Sequence, residues 1–309
     1  MSLRFINAGM QTSIQDAGRS GFMHQGISKS GAMDLISLNL ANWLVSNPIN
    51  QAAIEVTLAG PTIEFTERLS IAICGATFDL SLNDAPVFNN ETIKVNAGDV
   101  LTFKGIGQGA RAYLAIGGRF DVDASFGSQS THLTAKFGGY KGRQFQNDDV
   151  LTLLSTQEIE KHVLPEAYQP SFSGNYLLRC CVGVETEQFE AESLAAFYGR
   201  TYVVSNDSNR MGLRLTGEPV PLKKPVDIIS SGLTQGSIQI PPSGLPIISS
   251  VDGQTIGGYP RIANVSSADL NILGQLKAGD KIGCQFVSQD KAWQLLKEKQ
   301  TFLNKLLLI

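Results

Sequence analysis

The sequence predicts a mainly β protein with a few helices, arranged as two barrel-like domains, and three observations carry that prediction. Short alternating or continuous apolar runs broken by Gly, Asn and Asp recur along the chain. Helical spacing of apolar residues is confined to a few short stretches and the tail. One turn signal stands before an apolar run in each half, at Ala97-Gly98-Asp99 and Ala278-Gly279-Asp280. A length of 309 residues exceeds what one core usually serves, so two domains are expected, over 1–160 and 174–309.

In the first half, strands are expected at Thr62–Phe65, Leu69–Cys74, Phe78–Leu82, Val100–Phe103, Arg111–Ile116 and Val150–Leu154. Between them, Met33, Ile36, Leu40 and Leu44 recur at helical spacing over Met33–Ser46, with Asp34 suited to the first turn and Asn47-Pro48 as the stop. Residues Ser155–Asn175 have the Gln, Glu, Lys and Pro content of a linker. The second half begins at Tyr176 and continues through strands at Thr201–Val204, Val226–Ile229, Ile238–Ile240, Pro246–Val251, Arg261–Val265, Leu270–Leu273 and Lys281–Val287. A short helix interrupts it at Ala191–Tyr198. The tail Lys291–Leu308 reads as a helix that packs on the second domain or meets a partner.

Composition removes several function classes. The net charge is only -3, and no Lys/Arg run stands ready to neutralise phosphates or anionic lipid, which argues against nucleic acid and membrane partners. Met1–Ala8 lacks the pattern of a secretory signal and no apolar run approaches a membrane span, so a cytoplasmic location is expected. Cys74, Cys180, Cys181 and Cys284 sit in strand-like runs without metal-ligand spacing and are expected to be buried thiols. With His24, His132 and His162 scattered, neither a zinc site nor a His-centred triad has its parts. Ser130-Thr131-His132 reads as a helix cap beside a surface histidine. Gly105–Ala110 precedes a strand rather than a helix, so it reads as a hairpin turn and not a phosphate loop.

Three segments combine glycines with polar side chains. In Gln11–Gly21, glycines permit close backbone approach while Gln15, Asp16 and Arg19 offer donors, acceptors and charge; the alternative is a polar loop in which Asp16 and Arg19 merely pair. In Asn206–Leu215, Arg210 and Arg214 suit a carboxylate or phosphate. In Gly236–Pro246 and Asp252–Arg261, Gln239, Gln254 and Tyr259 suit a neutral amide-like ligand such as a lactam or ureido group, with strand-end turns as the competing reading.

Together these segments resemble the carboxyltransferase-like family that includes allophanate hydrolase subunit 2, KipA and the C subunit of 5-oxoprolinase. The resemblance rests on Gln15-Asp16-x-Gly18-Arg19-x-Gly21, Gly26-Ile27-x-x-Ser30-Gly31-Ala32-Met33-Asp34, Asn39-x-x-Asn42, Gly127-Ser128-x-Ser130-Thr131, Ser208-Asn209-Arg210-Met211-Gly212-x-Arg214-Leu215, Gly236-x-Ile238-Gln239-x-Pro241 and Gly257-Gly258-Tyr259-Pro260. It implies two cyclophilin-like β-barrel domains with a ligand site between them. It also implies work with two partners of the 5-oxoprolinase system, a KipI-like B subunit together with an A subunit, to open 5-oxoproline to glutamate with ATP. Under it, Arg210 and Arg214 hold the substrate carboxylate or a phosphorylated intermediate, Gln239 and Tyr259 orient the amide, and Asp16 and Arg19 shape the opposite wall. The same resemblance carries two alternatives: biotin-dependent carboxyl transfer to urea or another small amide, and a regulatory module that binds a KipI-like partner. Asn209, Ile256 and Gln129 depart from residues common in the family and leave the substrate open.

Overall fold

A computed structural model describes residues 1–224 and 228–307. Its contacts divide the chain into one unit of Met1–Ser20 with Ser30–Phe172 and another of Gly21–Lys29 with Ser173–Ile309. Val226 and Asp227 of the strand expected over Val226–Ile229 lie outside the described residues, as does Leu308 of the expected terminal helix.

In the first unit the strands form two antiparallel sheets. The seven-stranded sheet has the order Gly118–Phe120, Val150–Thr156, Ser2–Asn7, Thr62–Phe65, Val100–Ile106, Phe78–Leu82, Ala85–Val87. The five-stranded sheet has the order Gln11–Gln15, Ala53–Thr57, Arg111–Ile116, Leu69–Gly75, Thr92–Val95. Helix α1 (Leu35–Leu44) packs on the last-named sheet against Arg111–Ile116 and Leu69–Gly75. Both strands are therefore buried along their whole length, which is why they read as continuous apolar runs rather than alternating ones. Asp34 caps the helix, its Oδ1 accepting from the Ile36 and Ser37 amides at 3.1 Å and its Oδ2 from the Ser37 hydroxyl at 2.6 Å. Leu3, Phe5, Ile54, Ile71, Leu114 and Leu151 lie at the centre of the core, fully buried.

The second unit is a closed barrel of seven strands, in the order Asn175–Val182, Arg261–Val265, Ser237–Gln239, Ile247–Ser249, Gly212–Thr216, Thr201–Val204, Lys281–Phe286. Parallel pairing of Asn175–Val182 with Lys281–Phe286 shuts it, so both strand edges are consumed. Helix α2 (Ala191–Gly199) seals the core with Phe197, and helix α3 (Gln289–Leu307) lies outside with no fully buried residue. The Leu270–Leu273 strand expectation is corrected: the chain makes a 3-10 turn over Ile272–Gln275, with the Ile272 amide donating to the Asp269 carbonyl at 2.9 Å. Four residues, three of them apolar, do not distinguish strand from turn by their period.

The repeated turn signal has one structure in both units. Gly98 and Gly279 adopt φ of 88° and 90°. Asp99 Oδ2 accepts from the Asn96 amide at 2.7 Å, as Asp280 Oδ2 does from the Lys277 amide at 3.0 Å. The Gly98 and Gly279 amides donate to the Phe65 and Val204 carbonyls, and the Phe65 and Val204 amides donate back to the Asp99 and Asp280 carbonyls.

Candidate functional site

The candidate residues form a separate assembly in each unit. In the first, strand Gln11–Gln15 ends at Asp16, whose carboxylate gathers the loop around Ser128. Asp16 Oδ1 accepts from the Gly18 amide at 2.7 Å, the Ser128 hydroxyl at 2.6 Å and the Ser130 hydroxyl at 2.5 Å. Its Oδ2 accepts from the Gln129 amide at 2.6 Å. Ser130 Oγ in turn accepts from the Asp16 amide, so the two residues interlock. Arg19, only 1% exposed, donates to the Ser130 carbonyl at 2.5 Å and lies 4.7 Å from the Phe137 ring centre. Gln15 is buried and donates to the Ser13 hydroxyl and the Thr131 carbonyl. Gly31 is required here because a Cβ, already strained at φ 90°, would stand 2.7 Å from the Gly18 nitrogen.

Asp16 and Arg19 are thus joined through Ser130 rather than paired with each other. The reading of Ser130-Thr131-His132 as a helix cap beside a surface histidine is corrected: no helix follows, Ser130 is fully buried on Asp16, and His132 is 8% exposed with its Nδ1 accepting from the Ala135 amide. A second network was not legible in the sequence. Tyr113 Oη donates to Glu55 Oε2 at 2.8 Å and accepts from the Asp34 amide at 2.8 Å, while Met33 donates its amide to the same Glu55 oxygen. Burial first, and then the charge of Glu55, push the Tyr113 phenol well above its ordinary range, keeping it a donor.

In the second unit Arg210, 3% exposed, is gripped by Asp252, with Nε to Oδ2 at 2.8 Å and Nη2 to Oδ1 at 3.2 Å. Arg214 stands exposed on strand Gly212–Thr216, so the two arginines occupy unlike environments. Gln239 is buried and donates to the Tyr259 carbonyl at 3.4 Å, while Tyr259 is 45% exposed and Gln254 is exposed. Tyr259 borders a pocket of about 750 Å³ with Pro219, Pro241, Pro242, Lys223 and Lys224. Its size lies within the range of small-molecule sites, and its apolar walls with two cations suit an organic anion. Gly244, at φ 76°, admits Pro219, whose Cβ would lie 2.7 Å from a side chain there.

Beside that pocket, Arg261 and Glu185 form an ion pair, with Arg261 Nε 2.7 Å from Glu185 Oε2 and Arg261 Nη1 2.6 Å from the Gly232 carbonyl. The guanidinium holds the Glu185 carboxyl below its usual range. Asp252, Lys223, Lys224 and Glu185 were missed by sequence reading; only the proximity of Asp252 to Gln254 hinted at the first. Cys74, Cys180 and Cys284 are buried as expected, whereas Cys181 is half-buried, because its strand turns alternate residues outward. Among the described residues no helix is long and apolar enough to cross a membrane.

The family model for the carboxyltransferase domain, subdomain A and B, matches residues 25–287. The chain belongs to this family. Within the carboxyltransferase-domain family, it is 35% identical to the 5-oxoprolinase C subunit of Haemophilus influenzae, over 97% of this chain and 96% of that protein. It is 36% identical to the Escherichia coli protein of the same name, over 98% and 97%. Urea amidolyase of Lachancea kluyveri is 37% identical over 94% of this chain, which spans 17% of that protein. Among solved structures, the Kluyveromyces lactis urea carboxylase matches with a TM-score of 0.93 and 31% identity, over 99% of this chain and 29% of that one. The mainly β fold is thus that of the family's carboxyltransferase domains.

Proposed function

We propose that this chain is the C subunit of an ATP-dependent 5-oxoprolinase. It works with a KipI-like B subunit, together with an A subunit, to hydrolyse the lactam of 5-oxoproline to glutamate. The observation that carries the reading is similarity to two proteins named as the C subunit of 5-oxoprolinase, over almost the whole of both partners. A cytoplasmic site of action fits that chemistry.

In this reading the ring C–N bond breaks as a water oxygen adds to the carbonyl carbon and the nitrogen takes a proton. Tyr259, backed by Gln239, orients the amide, and Gln254 and Arg214, both exposed, supply further polar contacts. Lys223 and Lys224 attract the substrate carboxylate. Arg210 acts through Asp252, fixing the loop that carries Gln254. In the first unit Asp16, with Gln15 and Arg19, holds the Ser128–Thr131 loop in shape. ATP supplies the activation of the lactam carbonyl in the complex. The glycine-rich Gly105–Ala110 loop does not fit its phosphates, because the Gly107 and Gln108 amides are already spent on Thr77.

The urea amidolyase and urea carboxylase matches favour one second reading, biotin-dependent carboxyl transfer to a small amide with the carrier supplied by another polypeptide. The test is ATP-dependent glutamate release from 5-oxoproline by the mixed subunits, omitting each in turn. Release that disappears without this chain is expected. A folded, assembled complex with no release, but with transfer of carboxyl from carboxybiotin to urea, would replace the first reading by the second.

A further inference from the structure

Helix α3 turns one face to the barrel and another outward. Ala292, Leu295, Leu296, Leu303 and Leu306 are half-buried, and Lys299 is tied to the Ala268 carbonyl and Asn271 at 2.6 Å. The outward face carries a groove of about 560 Å³ lined, among the described residues, by the helix itself, with Trp293 58% and Phe302 41% exposed. The order of residues along that groove is symmetric about the midpoint between Lys297 and Glu298. Equally distant from it stand Asp290 and Lys305, then Trp293 and Phe302, and next to the centre Lys297 and Glu298 themselves. Gln294 and Thr301 form a further polar pair.

Reversing such a stripe sets each acid opposite a base and each aromatic ring opposite an aromatic ring. The helix dipole accounts for Asp290 in the first turn and Lys305 in the last, but not for the central charges or the two aromatic residues. We infer that α3 pairs antiparallel with α3 of a second copy of this chain, about a two-fold axis passing between Lys297 and Glu298. A two-fold contact requires a self-complementary patch, and this stripe supplies one. Antiparallel packing also opposes the two helix dipoles. Nineteen residues span roughly 28 Å, so the helix pair alone falls short of the roughly 1,200 Å² of a tight complex, and the dimer is weak and concentration-dependent.

Sedimentation of the full chain from about 1 to about 100 µM tests this. The expected result is a mass that rises from monomer toward dimer with concentration. Lys297→Glu places like charges opposite each other twice and weakens the dimer about tenfold, while K297E/E298K restores it. Both changes exchange one good helix former for another, so the helix itself is preserved. A chain that stays monomeric throughout, or a dimer indifferent to the swap and its compensation, overturns the inference.

Discussion

The Ala97-Gly98-Asp99 turn of the first unit and the Ala278-Gly279-Asp280 turn of the second are built alike, while the polar anchors at Asp16 and Arg210 are built differently. Each turn needs a glycine near φ 90° and a carboxylate folded back onto the amide three residues earlier. Few side-chain choices satisfy both demands, so the same Gly-Asp pair serves twice. The anchors answer a looser problem, holding a loop beside a strand end. Asp16 does so as an acceptor for several short hydrogen bonds, and Arg210 as one half of a buried ion pair. Repetition of sequence therefore marks a backbone constraint, whereas an anchor can be built from either sign of charge.

The largest effect that separates the two anchors is expected from their removal. Asp252→Ala takes the bidentate partner from a guanidinium only 3% exposed and should cost about 3–5 kcal/mol in urea unfolding. Asp16→Asn keeps the shape but gives up acceptor capacity, and should cost about 1–3 kcal/mol. Equal losses would erase the distinction between an ion-paired and a hydrogen-bonded anchor.

The turns offer a sharper comparison with a smaller effect. Nothing lies within 4 Å of a Cβ built on Gly98 or Gly279, so alanine there meets only the penalty of a positive φ. Each substitution should cost about 1–2 kcal/mol, and the two should agree to within about 0.5 kcal/mol. A large disagreement would mean that the shared hydrogen bonds conceal different strain.

Acid response is the smallest of the expected effects. Arg143 holds the Asp149 carboxyl low in the first unit, as Arg261 holds Glu185 low in the second. Because both folded-state values lie below the ordinary range, the stabilisation is complete above roughly pH 4–5 and is lost as pH falls through those lowered values. Asp149→Asn and Glu185→Gln should each flatten the acid limb of stability against pH. A limb unchanged by either variant would place the acid sensitivity elsewhere.

Much of this molecule was legible in its order of residues. The Asp34 cap and the apolar spacing of Leu40 and Leu44 specify α1 locally, and the Gly98 and Gly279 turns are marked by their own glycine and the carboxylate that follows it. The polar segments at Asp16, Arg210 and Tyr259 stood out because glycines beside charged or amide side chains are rarely needed for a strand. What those residues touch was not legible. Arg210 meets Asp252 across 42 positions, and Asp16 meets Ser128 across 112. The Tyr113 donor to Glu55 likewise depends on which strands become neighbours. Local sequence determined α1, the two glycine turns and most of the second-unit strands, since those follow from backbone preference and side-chain period, but not the strands Ser2–Asn7, Gln11–Gln15 and Ala53–Thr57 or the 3-10 turn over Ile272–Gln275. Only the tertiary structure decided which charges were spent on structure and which, like Arg214 and Lys223, were left facing water, because pairing between distant residues is set by sheet order and barrel closure.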